Sequence, residues 1–299
     1  MAERLTACFV GLGSIGRRHL GNLISVCAER GIGIEVDALR HADSALDAET
    51  SGRIRREYRD AAELPGYDLL FICNPSQLHY QTLLRLKNTA RTVFVEKPVF
   101  TTALSATDLA PFSDERKFYV ACPLRHTKTF LELRDFTLHN PVSSVRAICS
   151  SYLPDWRPGA DYRRLYSAAR DSGGVKLDLI HEFDYLFSLF GFPRRSLLLS
   201  PKVSHLEIES PDLVSFIGEY PDKTVELHLD YFGRRSQRSC EVFSREETRS
   251  FDFLDVREDR NESYLREMRY FLDFATKGKP NINAVPFANK VIDFVLGGS

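Results

Sequence analysis

The run Gly11-Leu12-Gly13-Ser14-Ile15-Gly16 constrains this chain more than any other feature of its sequence. It follows directly on an apolar run, Leu5 to Val10, and opens a stretch of helical periodicity from Ser14 to Ala28. In a strand–turn–helix of this kind the first glycine permits the tight turn, and the second lets backbone approach a pyrophosphate. The third allows close packing of helix on strand, while the helix N-terminus attracts phosphate. A glycine spacing alone says little; its place between a strand and a helix makes it informative. Gly11, Gly13, Ser14, Ile15 and Gly16 are therefore candidate dinucleotide contacts.

The same logic extends along the first part of the chain. Ile34 to Leu39 reads as a second strand, and Asp68 to Cys73, Thr92 to Glu96 and Phe118 to Cys122 are further short apolar runs, with a helical pattern at Gln77 to Lys87. Unalternating runs separated by helices are what a parallel sheet covered on both faces produces. Residues 1–124 are read as a doubly wound α/β Rossmann domain that binds NAD(P). After a helix at Phe130 to His139 the pattern changes. Val142 to Tyr152 reads as a strand and Gly174 to Phe190 as an amphipathic helix. Strand-like segments then follow without intervening helices, among them Leu213 to Tyr220, Thr224 to Tyr231 and Ser239 to Phe243. Consecutive strands form a mainly antiparallel sheet. Residues 125–299, closed by helices near Glu262 to Thr276 and Phe287 to Leu296, are read as an α+β substrate-binding and oligomerisation domain.

Composition narrows the function classes. The 40 basic and 41 acidic residues nearly cancel, so no nucleic-acid footprint stands out, and the cluster Arg53, Arg55, Arg56, Arg59 reads as a solvated face. Six widely spaced cysteines without a C-x-x-C pair argue against a disulfide framework or a zinc site, and no metal is expected. The apolar runs fall short of the roughly 18 residues of a membrane helix. The N-terminal residues lack the apolar core of a secretory signal. A cytoplasmic protein that binds neither membrane nor nucleic acid is expected.

Three further segments carry chemistry. The second strand ends Asp37-Ala38-Leu39-Arg40; no carboxylate stands at its end, and Arg40 offers a guanidinium for a 2′-phosphate, a lean towards NADP over NAD. Asn74, Pro75 and His79 in Cys73-Asn74-Pro75-Ser76-Gln77-Leu78-His79, and Glu96 and Lys97 in Glu96-Lys97-Pro98, follow strands of the parallel sheet. They would stand at the rim where ligands bind in such sheets. The amine of Lys97 can donate to a substrate oxygen. Asp178 and His181 are three apart in the expected helix and so share a face, where an imidazole can move a hydroxyl proton beside an orienting carboxylate.

Together, the glycine turn, Asn-Pro-x-x-x-His, Glu-Lys-Pro and the Gly173-Gly174…Asp178…His181 segment resemble the Gfo/Idh/MocA oxidoreductases. The resemblance spans nearly the whole chain. It implies hydride transfer between a sugar, polyol or sugar derivative and NAD(P), in a homodimer or homotetramer. Lys97, His181 and Asp178 would be the catalytic residues. Two departures stand out: the family commonly separates aspartate and histidine by four positions, and Cys122-Pro123-Leu124-Arg125-His126 keeps only Arg125 of a cofactor-proximal Asn-x-Arg pattern. The segment containing Tyr152, Trp156, Arg157, Tyr162 and Arg163 would roof the substrate. It resembles a branch found beside surface-sugar (nonulosonate) genes, and its arginines suit an anionic substrate. The alternative is a non-catalytic dinucleotide or sugar sensor, since the family has also given rise to a galactose-regulon repressor.

Overall fold

The computed structural model describes residues 4–41, 45–170, 174–255, 259 and 261–297; Gly173 lies outside them. In chain order come β1 (Arg4–Val10), α1 (Ser14–Glu29), β2 (Gly33–Leu39), α2 (Ala48–Gly52), β3 (Arg56–Tyr58) and β4 (Tyr67–Ile72). Then follow α3 (His79–Leu86), β5 (Ala90–Val95), α4 (Ala106–Leu109), β6 (Phe118–Val120), α5 (Lys128–His139) and β7 (Val142–Tyr152). Next are α6 (Val175–Asp178), α7 (Ile180–Phe190), β8 (Arg195–Leu199), β9 (Leu213–Glu219) and β10 (Thr224–Asp230). The last are β11 (Phe232–Ser244), β12 (Thr248–Asp252), α8 (Glu262–Lys277) and α9 (Val285–Leu296). None of the described helices is long and apolar enough to cross a membrane.

These elements form two compact units: Met1–Pro123 with Arg260–Lys290, and Leu124–Asp259 with Val291–Ser299. The first holds a six-stranded sheet in the order β3-β2-β1-β4-β5-β6, every described pair parallel. Burial along β4 and β5 is nearly unbroken, which is why both read as continuous apolar runs. The sheet core is aromatic: Phe71 stacks on Phe9 at 4.4 Å, and the Phe271 ring meets Phe94 edge-on at 5.1 Å. Phe271 comes from α8, whose Met268, Phe271 and Leu272 are fully buried in this cluster. Residues 260–290, read from sequence as part of the second domain, thus return to the first unit. An amphipathic pattern shows that a helix buries one face and does not name the sheet it packs on.

The second unit holds a mixed sheet in the order β12-β11-β7-β10-β9-β8. Only its central pair, β7 and β10, is parallel; the other neighbours run antiparallel. One face packs on α7, where Phe183 and Phe187 meet Phe216. The other face is open: Leu197, Leu199 and Ile217 are each more than half exposed, beside Arg146, Glu226 and His228. The expected helix from Gly174 to Phe190 is interrupted, because Leu179 takes φ −100° and ψ 26° between α6 and α7. All six cysteines are buried and none forms a disulfide.

If α8 completes the first core, Phe271→Ala removes a fully buried ring and is expected to cost about 3–5 kcal/mol. A urea-unfolding midpoint unmoved by this substitution would show that α8 is peripheral to the parallel sheet.

Candidate functional site

The glycine turn sits between the carboxyl ends of β1 and β4, where the strand order reverses and such sheets take ligands. Gly11 has φ +91°, and a Cβ there would lie 2.8 Å from the Asn74 backbone. A Cβ on Gly16 would lie 2.3 Å from the Gly11 carbonyl oxygen. Both positions are closed to any larger residue. Gly13, by contrast, has nothing within 4 Å of its would-be Cβ and is the N-cap of α1. No side chain caps that helix, and no acidic residue stands in its first turn. The first-turn amides, Ser14 and Ile15 among them, therefore lack intrahelical acceptors while the helix dipole adds positive potential. An open cradle with those donors fits a pyrophosphate.

The neighbouring rim segments are braced from below. His79, expected among the cofactor contacts, is only 1% exposed and is a buried brace instead. Its Nε2 lies 2.9 Å from the Asn74 carbonyl oxygen, and its Nδ1 lies 3.1 and 3.2 Å from those of Pro98 and Val99. It thus ties the β4 rim to the β5 rim. Burial pushes its pKa below the ordinary imidazole value, although the backbone carbonyls oppose this. Asn74 donates to Thr82 Oγ1 at 2.8 Å, and Pro75 is exposed. Glu96 is buried: its Oε1 lies 2.5 Å from His19 Nε2, and its Oε2 accepts the Lys97 N–H at 3.0 Å. Burial alone would raise the Glu96 carboxyl, but His19 and Lys97 outweigh it and hold the pKa below the usual value. Lys97 itself is half-buried where the chain leaves β5.

The end of β2 differs from expectation. Asp37 is fully buried, held by Arg55 Nε and Nη2 at 2.9 and 2.6 Å and by the Tyr67 hydroxyl at 2.9 Å. Arg40 is 7% exposed, and its Nη1 donates to Glu57 Oε2 at 2.7 Å. Its charge is therefore matched within the protein, and the lean towards NADP that rested on it gains nothing from this geometry.

In the second unit, Asp178 Oδ2 accepts the Tyr231 hydroxyl at 2.6 Å. Tyr231 is fully buried, and burial together with Asp178 pushes its phenol far above the ordinary value. Trp156 meets the Tyr231 ring edge-on at 5.3 Å and donates from Nε1 to Ser151 Oγ at 3.0 Å. Asp178, Trp156 and Tyr231 thus form one cluster. Tyr152 does not join it. Strand alternation places Tyr152, paired with Phe232, on the sheet face of Ile148, while Ser151 points the other way. There Arg234 covers the Tyr152 ring at 3.7 Å.

Arg163 is engaged by Asp161 at 2.8 Å and Glu207 at 2.7 Å, and the Tyr162 hydroxyl accepts the Glu207 N–H. Arg157 is exposed. Arg125 is buried and makes a forked ion pair with Asp184, at 2.8 and 2.6 Å. His181 is half-buried in the first turn of α7, beyond the break at Leu179. The shared-helix argument for Asp178 and His181 therefore does not hold, since Asp178 ends α6. Sequence reasoning missed Tyr231 and His19. The one lies between β10 and β11 and the other one turn into α1, and neither stands in a motif.

Residues 5–121 match the family described as "Oxidoreductase family, NAD-binding Rossmann fold". This part of the chain belongs to the Gfo/Idh/MocA oxidoreductases. The chain is 24% identical over 217 residues to the uncharacterized oxidoreductase YrbE of Bacillus subtilis, covering 69% of this chain and 61% of that protein. It is 24% identical to the myo-inositol 2-dehydrogenase of Thermotoga maritima, covering 61% of this chain and 54% of that one. The matches thus span less than two thirds of either relative. Among solved structures, GenD2 from gentamicin A biosynthesis, in complex with NAD, aligns at a TM-score of 0.80 with 18% identity. That alignment covers 99% of this chain and 93% of GenD2, and shows that the fold is shared.

The depressed Glu96 pKa has a consequence in acid. Its contribution is fully present above the ordinary glutamate value of 4.5 and is lost as pH falls through the lower folded value. Glu96→Gln is expected to flatten the acid limb of the stability curve, measured as urea midpoints from about pH 7 to about pH 3. An equally steep limb in the variant would remove Glu96 from the acid response.

Proposed function

We propose that this protein is an NAD(H)-dependent dehydrogenase or reductase acting on a secondary alcohol of a sugar, polyol or sugar derivative. The observation that carries the reading is the open cradle at Gly13, between two glycine contacts that tolerate no side chain, at the switch point of a parallel sheet. The amides of Ser14, Ile15 and Gly16 would hold the pyrophosphate, with Asn74, Pro75 and Lys97 along the same rim. The bound nicotinamide supplies the hydride acceptor or donor.

Lys97 donates a hydrogen bond to the reacting oxygen, and His181 takes or returns the hydroxyl proton that accompanies hydride transfer. Asp178, held by the Tyr231 hydroxyl, stands in the substrate pocket as the partner of His181. Since Asp161 and Glu207 match the charge of Arg163, a neutral sugar or polyol suits this site better than an anionic one. The likeness to a myo-inositol 2-dehydrogenase supports the polyol class. For the cofactor, Glu57 beside Arg40 would oppose a 2′-phosphate, which favours NAD over NADP.

Titration with NADH and NADPH, followed by nicotinamide fluorescence, tests this reading. NADH is expected to bind at least as tightly as NADPH, and Glu57→Gln to narrow the gap. Lys97→Ala should keep NADH binding and lose turnover of a screened polyol by at least about 100-fold. Binding of neither nucleotide would overturn the enzyme reading in favour of a sugar sensor.

We also propose that the open sheet face joins two copies of this chain, in a homodimer or homotetramer. Leu197, Leu199 and Ile217 lie exposed beside the ion pair of Arg146 and Glu226, so the face offers an apolar patch and both charge signs to a two-fold mate. Ile217→Glu is expected to halve the mass measured by light scattering. A wild-type protein that is already monomeric would sink this assignment.

A further inference from the structure

The carboxylate of Glu96 is 7% exposed, and both of its oxygens are engaged by named groups, His19 Nε2 and the Lys97 N–H. His19 is 1% exposed, with its ring edge-on to Phe94 at 4.8 Å and to Tyr264 at 5.9 Å, so it has little rotational freedom. Its Nδ1 is buried with no hydrogen-bond partner among the described residues. Because the Glu96 carboxylate can only accept, Nε2 is the donor of this pair.

We infer that His19 is a positioning residue for Lys97. From α1 it fixes one oxygen of Glu96, and the other oxygen fixes the peptide N–H of Lys97 as the chain leaves β5. The relay makes the Lys97 backbone a dependant of the same helix whose N-terminus carries the glycine turn. Without the His19 donor, the buried carboxylate must rotate or take up a proton, and its grip on the Lys97 N–H is lost. The geometry stands by itself; only the effect on turnover rests on the dehydrogenase reading above.

The test is amide hydrogen exchange at Lys97, with NADH binding and polyol turnover measured on the same full-length variants. His19→Leu removes the donor at similar volume; His19→Gln keeps an N–H near the Nε2 position, and His19→Asn places one too short to reach. In His19→Leu and His19→Asn, exchange at the Lys97 amide is expected to rise about 10- to 100-fold, and kcat to fall by a similar factor. NADH affinity should stay within about 3-fold, and His19→Gln should stay close to wild type in every measure. Exchange at Lys97 that is unchanged in both His19→Leu and His19→Asn, or raised equally in His19→Gln, overturns the relay. If His19→Leu proves too unstable to read, the contrast of His19→Gln with His19→Asn decides alone. Raised exchange in a protein whose wild type turns over no polyol would keep the relay and discard the dehydrogenase reading.

Discussion

The first unit is organised around one close backbone approach. β1 and β4 are neighbours in the sheet, and the turn that leaves β1 passes so near Asn74 that a side chain at Gly11 has nowhere to go. The approach is possible because glycine tolerates a φ of +91° without strain. Gly16 repeats the constraint one helical turn later, where α1 must come down onto the same turn. Given those two contacts, the start of α1 is aimed along the rim of the sheet, and the direction of its dipole follows. The residues that hold Asn74, Glu96 and Lys97 in place then act on a frame already set by glycine.

Much of this frame was legible in the sequence because it rests on local rules. Strands β1, β4 and β5 announce themselves as largely apolar runs, since a covered parallel strand is buried on both faces. The alternating strands of the second sheet, β7 and β9 among them, show which face meets α7. The residues beneath the rim were harder to read. Imidazole and guanidinium make His79 and Arg40 chemically apt as ligand contacts, yet both side chains turn inward to protein partners. A sequence gives the functional group but not its direction. Deciding between rim and interior needs the partner, and Glu57 or the carbonyls of Pro98 and Val99 are not marked in advance.

The second unit shows a similar limit in another form. Asp178 and His181 were joined by a helical spacing that the chain interrupts at Leu179. What binds Asp178 instead is a phenol from a distant strand end, Tyr231, which no spacing rule connects to it. Tyr152 and Trp156 are four residues apart in one aromatic segment but fall on opposite sides of the sheet. In each case a contact between segments far apart in sequence decided the outcome, and local periodicity had no access to it.

The return of α8 to the first sheet has a consequence for how this chain can be divided. The aromatic layer of Phe71, Phe94 and Tyr119 is finished by a ring supplied long after the strands that carry the rest. A fragment cut once, after the last parallel strand, would leave those rings facing solvent and would be prone to aggregate. The first unit is obtained by excision: residues 124–259 come out, and 1–123 must be joined to 260–290. Synthesis on the ribosome meets the same condition, because the first sheet cannot complete its core until most of the second unit has been made.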